Sequence, residues 1–413
     1  MNTFNKYIEF SSAIRKISMI VLSVPLIYAI SSCDISKEDD ELSELTQRIC
    51  KNSIIIDSHI DWPLWILKNP KDISQKIMKR DFDLIRANKG GLNAALSVIF
   101  VNPKYGIDEG RALVDSQINL VVNYANLYPD KFALAKSPDD ILKNFDQNLF
   151  SIPLCLENGA PIGNDIGYLK YLKDNGFVYI TLSHSKSNQI CDSNLDTNRI
   201  WKGLSPFGFE VINEMNRLGI MIDISHSTDS TVFQALRYSK APIIASHSSC
   251  NHFTPDYERN LSDTLIKAIA DKNGIVMINF GSQFLDSICL KNWNYLLNWY
   301  DSTGIDEFSK EGIDFTLKYG ETHNLYSNSK QLVDHIDHIV KIAGVDYVGI
   351  GSDYDGIGYS QPSDLPDVSS YPIIVFELLK RGYTEENINK ILSENFFRVW
   401  NDVIEIADSL NNI

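Results

Sequence analysis

Eight short apolar runs, separated by stretches of helical periodicity, constrain this 413-residue chain more than any other feature. They are Ser53–Ser58, Leu92–Phe100, Ile152–Leu156, Phe177–Ser183, Gly219–Ser225, Ala241–Ser246, Gly274–Phe280 and Tyr347–Ser352. Each reads as nearly continuous Val, Ile, Leu and Ala rather than as an alternation with polar residues. That pattern belongs to parallel strands covered on both faces. Phe207–Leu218, Asp229–Tyr238 and Lys330–Ala343 carry apolar stripes at helical spacing. Eight strand-then-helix units imply an α/β fold, a closed (β/α)8 TIM-type barrel rather than an open doubly wound sheet. Gly281–Ser329, rich in Trp and Tyr, contains no clean unit and is expected to be a long excursion after the seventh strand.

The N-terminus follows a different logic. Lys6, Arg15 and Lys16 precede the apolar run Ile17–Ile30, which at about 14 residues is shorter than a membrane-spanning helix requires. The ending Ser31-Ser32-Cys33 resembles a bacterial lipoprotein cleavage box, so residues 1–32 are expected to be a signal peptide and Cys33 the lipidated residue. The acidic stretch 33–48 is expected to be a tether, leaving 49–413 as one (β/α)8 domain exported and anchored to a membrane. A net charge of −15 argues against nucleic acid as a partner. Five further cysteines (Cys50, Cys155, Cys191, Cys250 and Cys289) form no zinc-type spacing. Cys250 and Cys289 follow adjacent strands, so a disulfide between them is expected in an oxidising compartment.

The strand ends carry the chemistry. The first run leads into His59-Ile60-Asp61, whose alternation in extended chain points an imidazole and a carboxylate the same way. Glu157 ends the third run and His184 the fourth. The fifth ends in Asp223-Ile-Ser-His226, the sixth in Ser246-His247, and the eighth in Asp353-Tyr-Asp355. Six of eight strands thus deliver His, Asp or Glu to one end, where barrel enzymes keep their catalytic groups. Asp355 competes with Asp353, which comes first after its strand. His335 and His338 read as the solvated face of an amphipathic helix, and His252 as a loop residue near the mouth.

Taken together, these motifs resemble the membrane (renal-type) dipeptidases of the amidohydrolase superfamily, from about Ile54 to Trp400. The residues that carry the likeness are His59-Ile-Asp61, Thr181-Leu-Ser-His184-Ser-Lys-Ser-Asn188, Gly203-Leu-Ser-Pro-Phe-Gly208, Asp223-Ile-Ser-His226, Ala245-Ser-His247, Glu258-Arg259-Asn260-Leu-Ser-Asp263 and Gly351-Ser-Asp353-Tyr-Asp355-Gly356. Departures are Ile60 where the family usually has Asn, Asn158 where it has Gly, and Ser393-Glu394-Asn395 for Gly-Gly-Asn. The resemblance implies a zinc-dependent dipeptidase with two Zn²⁺ ions: His59, Asp61 and Glu157 on one, Glu157, His226 and His247 on the other. It also implies a metal-bridging hydroxide as nucleophile, His184 polarising the substrate carbonyl, Asp353 shuttling the proton, and Arg259 pairing with the dipeptide's free carboxylate. Rival readings are an amidohydrolase acting on a lactam or an N-acyl amino acid, and a non-catalytic binding lipoprotein. A second copy of the chain, as a homodimer, is kept among the partners.

Overall fold

A computed structural model of the chain describes residues 37–412. All eight expected strands form, β2 with the expected ends, β1 and β3 shifted toward the C-terminus and the others shorter: β1 (Ile55–Ile60), β2 (Leu92–Phe100), β3 (Leu154–Glu157), β4 (Phe177–Thr181), β5 (Met221–Asp223), β6 (Ile243–Ala245), β7 (Ile275–Ile278) and β8 (Val348–Ile350). They pair in parallel in chain order from β1 to β8. The circle closes where the Asp353 N–H donates to the His59 carbonyl (3.0 Å) and the Asp61 N–H to the Tyr354 carbonyl (3.0 Å). Two-residue strands at Phe132–Ala133 and Phe150–Ser151 extend the sheet beside β2.

Strand side chains fall into two buried sets, as period-2 alternation requires. Ala94, Leu96, Val98, Ile275 and Met277 face an inner core, and Ala95, Ile99, Val276 and Ile278 face the surrounding helices. The C-terminal helix Asn395–Asn411 adds Phe396, Val399, Trp400 and Val403 to the inner core. Arg398 on that helix donates to the carbonyls of Asn273, Gly274 and Asp346, just before β7 and β8, so the helix covers the N-terminal end of the barrel. The opposite, C-terminal end is left open for chemistry.

Three expectations change. The stretch read as a tether is helical from Lys37 to Asn52. Its Leu42, Leu45, Ile49 and Cys50 pack into the outer core, so the folded unit starts before residue 49. The excursion after β7 is not irregular but three helices, Ser282–Leu285, Ser287–Thr303 and Lys310–Gly320. The last two of these helices pack on each other, with Trp299 stacked on Phe315 at 3.7 Å, while the first lays Phe284 and Leu285 on the outer core. Cys250 and Cys289 are both free thiols. Cys250 lies in the outer core and Cys289 in the excursion's own cluster with Trp293 and Leu296. The signal peptide and Cys33 lie outside the described residues.

Candidate active site

The C-terminal ends of the strands gather every expected site residue around Glu157. Its Oε1 stands 3.1 Å from His226 Nε2, 3.4 Å from His247 Nε2, 3.6 Å from His59 Nε2 and 3.7 Å from His184 Nε2. Asp61 Oδ2 is 3.6 Å from His59 Nε2, and the donor atoms of His59, Asp61 and Asp353 form one compact group. Buried charge is tolerated only when paired, so this density of titratable groups is itself a functional signal. Backbone strain concentrates here too: Asn158, His226, Asp353 and Asp355 all adopt left-handed φ, from +63 to +79°. At residue 158 this explains the departure from Gly. Asn tolerates that region, and its side chain also donates to the Val101 carbonyl (2.8 Å).

Hydrogen bonds fix which imidazole nitrogens face inward. The Tyr179 hydroxyl donates to the Ser58 carbonyl (2.9 Å), so it accepts from His59 Nδ1–H (2.7 Å). Ser246 Oγ donates to Asp223 (2.6 Å), so it accepts from His247 Nδ1–H (2.8 Å). Both Nε2 atoms therefore present lone pairs to the Glu157 carboxylate. Acceptor faces acceptor, an arrangement that a cation between them reconciles. His59 Nε2 is fully buried without a hydrogen-bond partner. The separations among His226 Nε2, His247 Nε2 and Glu157 Oε1 are 3.0, 3.1 and 3.4 Å. Donor atoms about 2.0–2.2 Å from a tetrahedral ion stand roughly 3.3 Å apart, so this trio fits zinc. His59 Nε2 stands 3.6 Å from both Glu157 Oε1 and Asp61 Oδ2, so it links this trio to the group it forms with Asp61 and Asp353.

The electrostatics agree for His226 and His247 but not for His59: burial would lower it, and Glu157 beside it outweighs burial and raises it. Burial would raise the Glu157 carboxyl, but the surrounding imidazoles, His184 and His59 foremost, outweigh it and hold it well below its usual range. Burial, with Arg259 and His184 behind it, pushes His226 well down; burial, with His59 and Arg259, does the same to His247. Both rings are thereby neutral, the form that ligates metal. Burial also lowers His184. Asp61 is pushed well up, by burial first and then by Glu157 and Asp353. Burial raises Asp353, against the pull of His59.

Arg259 is 2% exposed. Its Nη1 donates to Ser248 Oγ (2.9 Å) and its Nη2 to the His247 carbonyl (2.9 Å), with His226 Nε2 at 3.3 Å. Its Nε has no partner, and no carboxylate of the described residues reaches it as an ion pair. Asp355 turns away from the cluster: its Oδ1 accepts from the Asp81 N–H (2.9 Å) and its N–H donates to Asp81 Oδ2 (3.0 Å).

Several supporting residues escape sequence reasoning. Asn279 Nδ2 donates to Asp353 Oδ2 (2.8 Å). Asp57 accepts the amides of His59 and Ser352 and the Tyr371 hydroxyl, tying β1 to β8, and burial lifts its carboxyl to about 6. Tyr179 reads from sequence as one more core aromatic. Asp223 and Ser246 carried a signal, since each lies in a motif ending in His. His335 is not on a solvated face: it is fully buried, with Nδ1 accepting the Cys250 N–H (2.9 Å) and Nε2 3.0 Å from the Leu285 carbonyl.

Fold and site together define a (β/α)8 barrel whose mouth gathers His, Asp and Glu side chains that could hold metal. The chain belongs to the membrane dipeptidase family (peptidase family M19), whose model matches residues 43–413. A dipeptidase, tcpJ, of Claviceps purpurea (strain 20.1) is 31% identical over 293 residues. That match spans 71% of this chain and 60% of the relative's length. The crystal structure of the probable dipeptidase PvdM from Pseudomonas aeruginosa superposes with a TM-score of 0.79 at 25% identity, covering 89% of this chain and 99% of that one. A metallo peptidase from Rhodobacter sphaeroides, liganded with a phosphinate mimic of L-Ala-D-Ala, shares the fold at a TM-score of 0.72 and 21% identity, over 85% of this chain and all of that one.

Proposed function

We propose that this chain is a zinc-dependent dipeptidase that hydrolyses the peptide bond of dipeptides with a free C-terminal carboxylate. The observation that carries the reading is Arg259, a buried guanidinium with no carboxylate of its own, set against the donor cluster around Glu157. A buried, unpaired cation is costly, and an anionic substrate group supplies the missing partner in the bidentate geometry guanidinium favours. His59, Asp61 and Glu157 would hold one ion, and Glu157, His226 and His247 the other. Two such ions supply a water acidic enough to ionise near neutral pH and a Lewis acid for the carbonyl.

The chain's own groups do the rest. Arg259 binds the terminal carboxylate and thereby sets where the scissile bond lies. His184, whose side chain is 23% exposed, would donate to the carbonyl oxygen. Asp353 takes a proton on the carboxylate oxygen not occupied by Asn279 and returns it to the departing amine. The test compares free dipeptides with their C-terminal amides, and includes N-acyl amino acids, for wild type and Arg259→Ala. Wild type should prefer the free acid and the variant should lose that preference. A variant that folds and keeps the full preference refutes the assignment.

We also propose export and lipid anchoring at Cys33, from the charged start, the short apolar run and the Ser-Ser-Cys ending. Among the described residues no helix is long and apolar enough to cross a membrane. Cys33→Ala should move the protein from the membrane to the soluble fraction; an N-terminus still at Met1 by mass spectrometry refutes it.

A further inference from the structure

A second group of metal-capable side chains meets on the surface, contributed by three separate elements. His252 lies in the 3₁₀ turn Asn251–Phe253, Asp263 opens the helix Asp263–Ala270, and His338 lies on the helix Ser329–Ile342. His338 Nε2 is 2.8 Å from Asp263 Oδ1, and the His252 and His338 rings stack with centroids 4.2 Å apart at 21°. One ligand atom from each residue lies within 4.8 Å of the other two. None of the three takes part in the cluster around Glu157.

The pair His338–Asp263 alone is an ordinary ion pair. The third group is what changes the reading, because a second imidazole laid on the first gains little from a single carboxylate. Two imidazoles and a carboxylate form a donor set for a borderline divalent ion. A tetrahedral shell would bring the donors to roughly 3.3 Å apart, a closure that the exposed His252 and Asp263 reach by rotating toward His338, whose side chain is 11% exposed. Asp334 and Asp337 line a groove beside His338 with Phe253 and Lys341, and both carboxylates already pair with Arg381, which leaves Asp263 as the carboxylate for the site. We propose that His252, Asp263 and His338 form a peripheral divalent-cation site, with zinc the best match.

The position gives the site a consequence. His252 and Asp263 bracket the segment that carries Arg259, and His338 belongs to a different helix. An ion shared by all three clips both ends of that segment to the helix Ser329–Ile342. The same helix already holds the segment's start through His335 and the Cys250 amide.

The test titrates the full chain, already loaded with zinc and freed of excess, with further zinc by calorimetry at neutral pH. Wild type should take up an additional equivalent. His252→Ala and His338→Gln should each weaken it by at least the 10–100-fold that losing even an outer partner costs. Dipeptide turnover of both variants without added zinc should match wild type. Amide exchange over residues 249–262 should slow on zinc addition in wild type and not in the variants. The difference between wild type and variants carries the result, so it does not depend on how many ions sit at the mouth. No additional equivalent, or equal affinity in both variants, overturns the site. Binding without slowed exchange overturns the clip.

Discussion

Gly356 is where a single methyl group should separate the site from the fold. Its φ is not left-handed, so alanine imposes no backbone strain there. A Cβ at this position would instead stand 2.1 Å from Asp353 Oδ1 and 2.3 Å from Asp61 Oδ2. An unstrained carbon–oxygen contact is about 3.3 Å, so Gly356→Ala must displace both carboxylates, or the backbone, by about 1 Å. A misplacement of that size costs on the order of 100-fold in rate, about 2.7 kcal/mol of barrier. The overpacking itself should remove about 1–3 kcal/mol of stability. Gly358, two residues on, is the matched control. It has φ +63°, and a methyl added there meets nothing within 4 Å, so alanine costs about 1–2 kcal/mol through left-handed strain alone. The assay is kcat/KM on a free dipeptide, with zinc content and a thermal melt, for both variants. Both should lose comparable stability, while only Gly356→Ala loses metal and turnover. Wild-type zinc content and turnover in Gly356→Ala would refute the claim that Asp61 and Asp353 act from the positions described.

Other expectations follow from the same geometry. Asp353→Asn should lower kcat by about 10²–10⁴ with little change in KM, since proton transfer is felt only in the transition state; steady-state kinetics decide it. Tyr179→Phe removes the acceptor of His59 Nδ1–H and should weaken zinc binding by about 10–100-fold in a chelator competition, with the fold intact. Burial holds His335 down to about 4, against 6.5 when exposed. The unfolded chain therefore binds the extra proton between those values, and stability should fall as pH drops from about 6.5 to 4, by roughly 3 kcal/mol. His335→Gln, which can replace both hydrogen bonds, should flatten that part of the stability–pH profile measured by denaturant melts.

The barrel is legible in the sequence because its strands are buried on both faces, which writes them as apolar runs such as Ile275–Ile278. The clustered His, Asp and Glu residues are legible because each follows such a run, and His59-Ile60-Asp61 needs only strand alternation to bring its two side chains together. The residues that orient them are not. Tyr179 lies in the middle of β4, where an aromatic means packing by default, and Asn279 matters only because the barrel's curvature brings β7 beside β8. His335 falls on what reads as a polar stripe, yet the segment after β6 covers that stripe, a contact between elements 85 residues apart. The excursion after β7 hides its last two helices because they pack on each other, around Trp293 and Leu296, and not on the main core. Local pattern records what a residue faces within its own element; these cases depend on what another element lays over it.

The central claim is that this mouth works as a pair of cations bridged by Glu157. Its most direct test is dipeptide hydrolysis by the metal-stripped chain as zinc is added back in measured equivalents, with Glu157→Gln beside it. Activity should rise with bound zinc and reach its plateau at two equivalents of active-centre metal, and the Gln variant should retain less metal and hydrolyse almost nothing. Full turnover with one ion or none, or two tightly held ions and normal turnover in Glu157→Gln, would contradict the account.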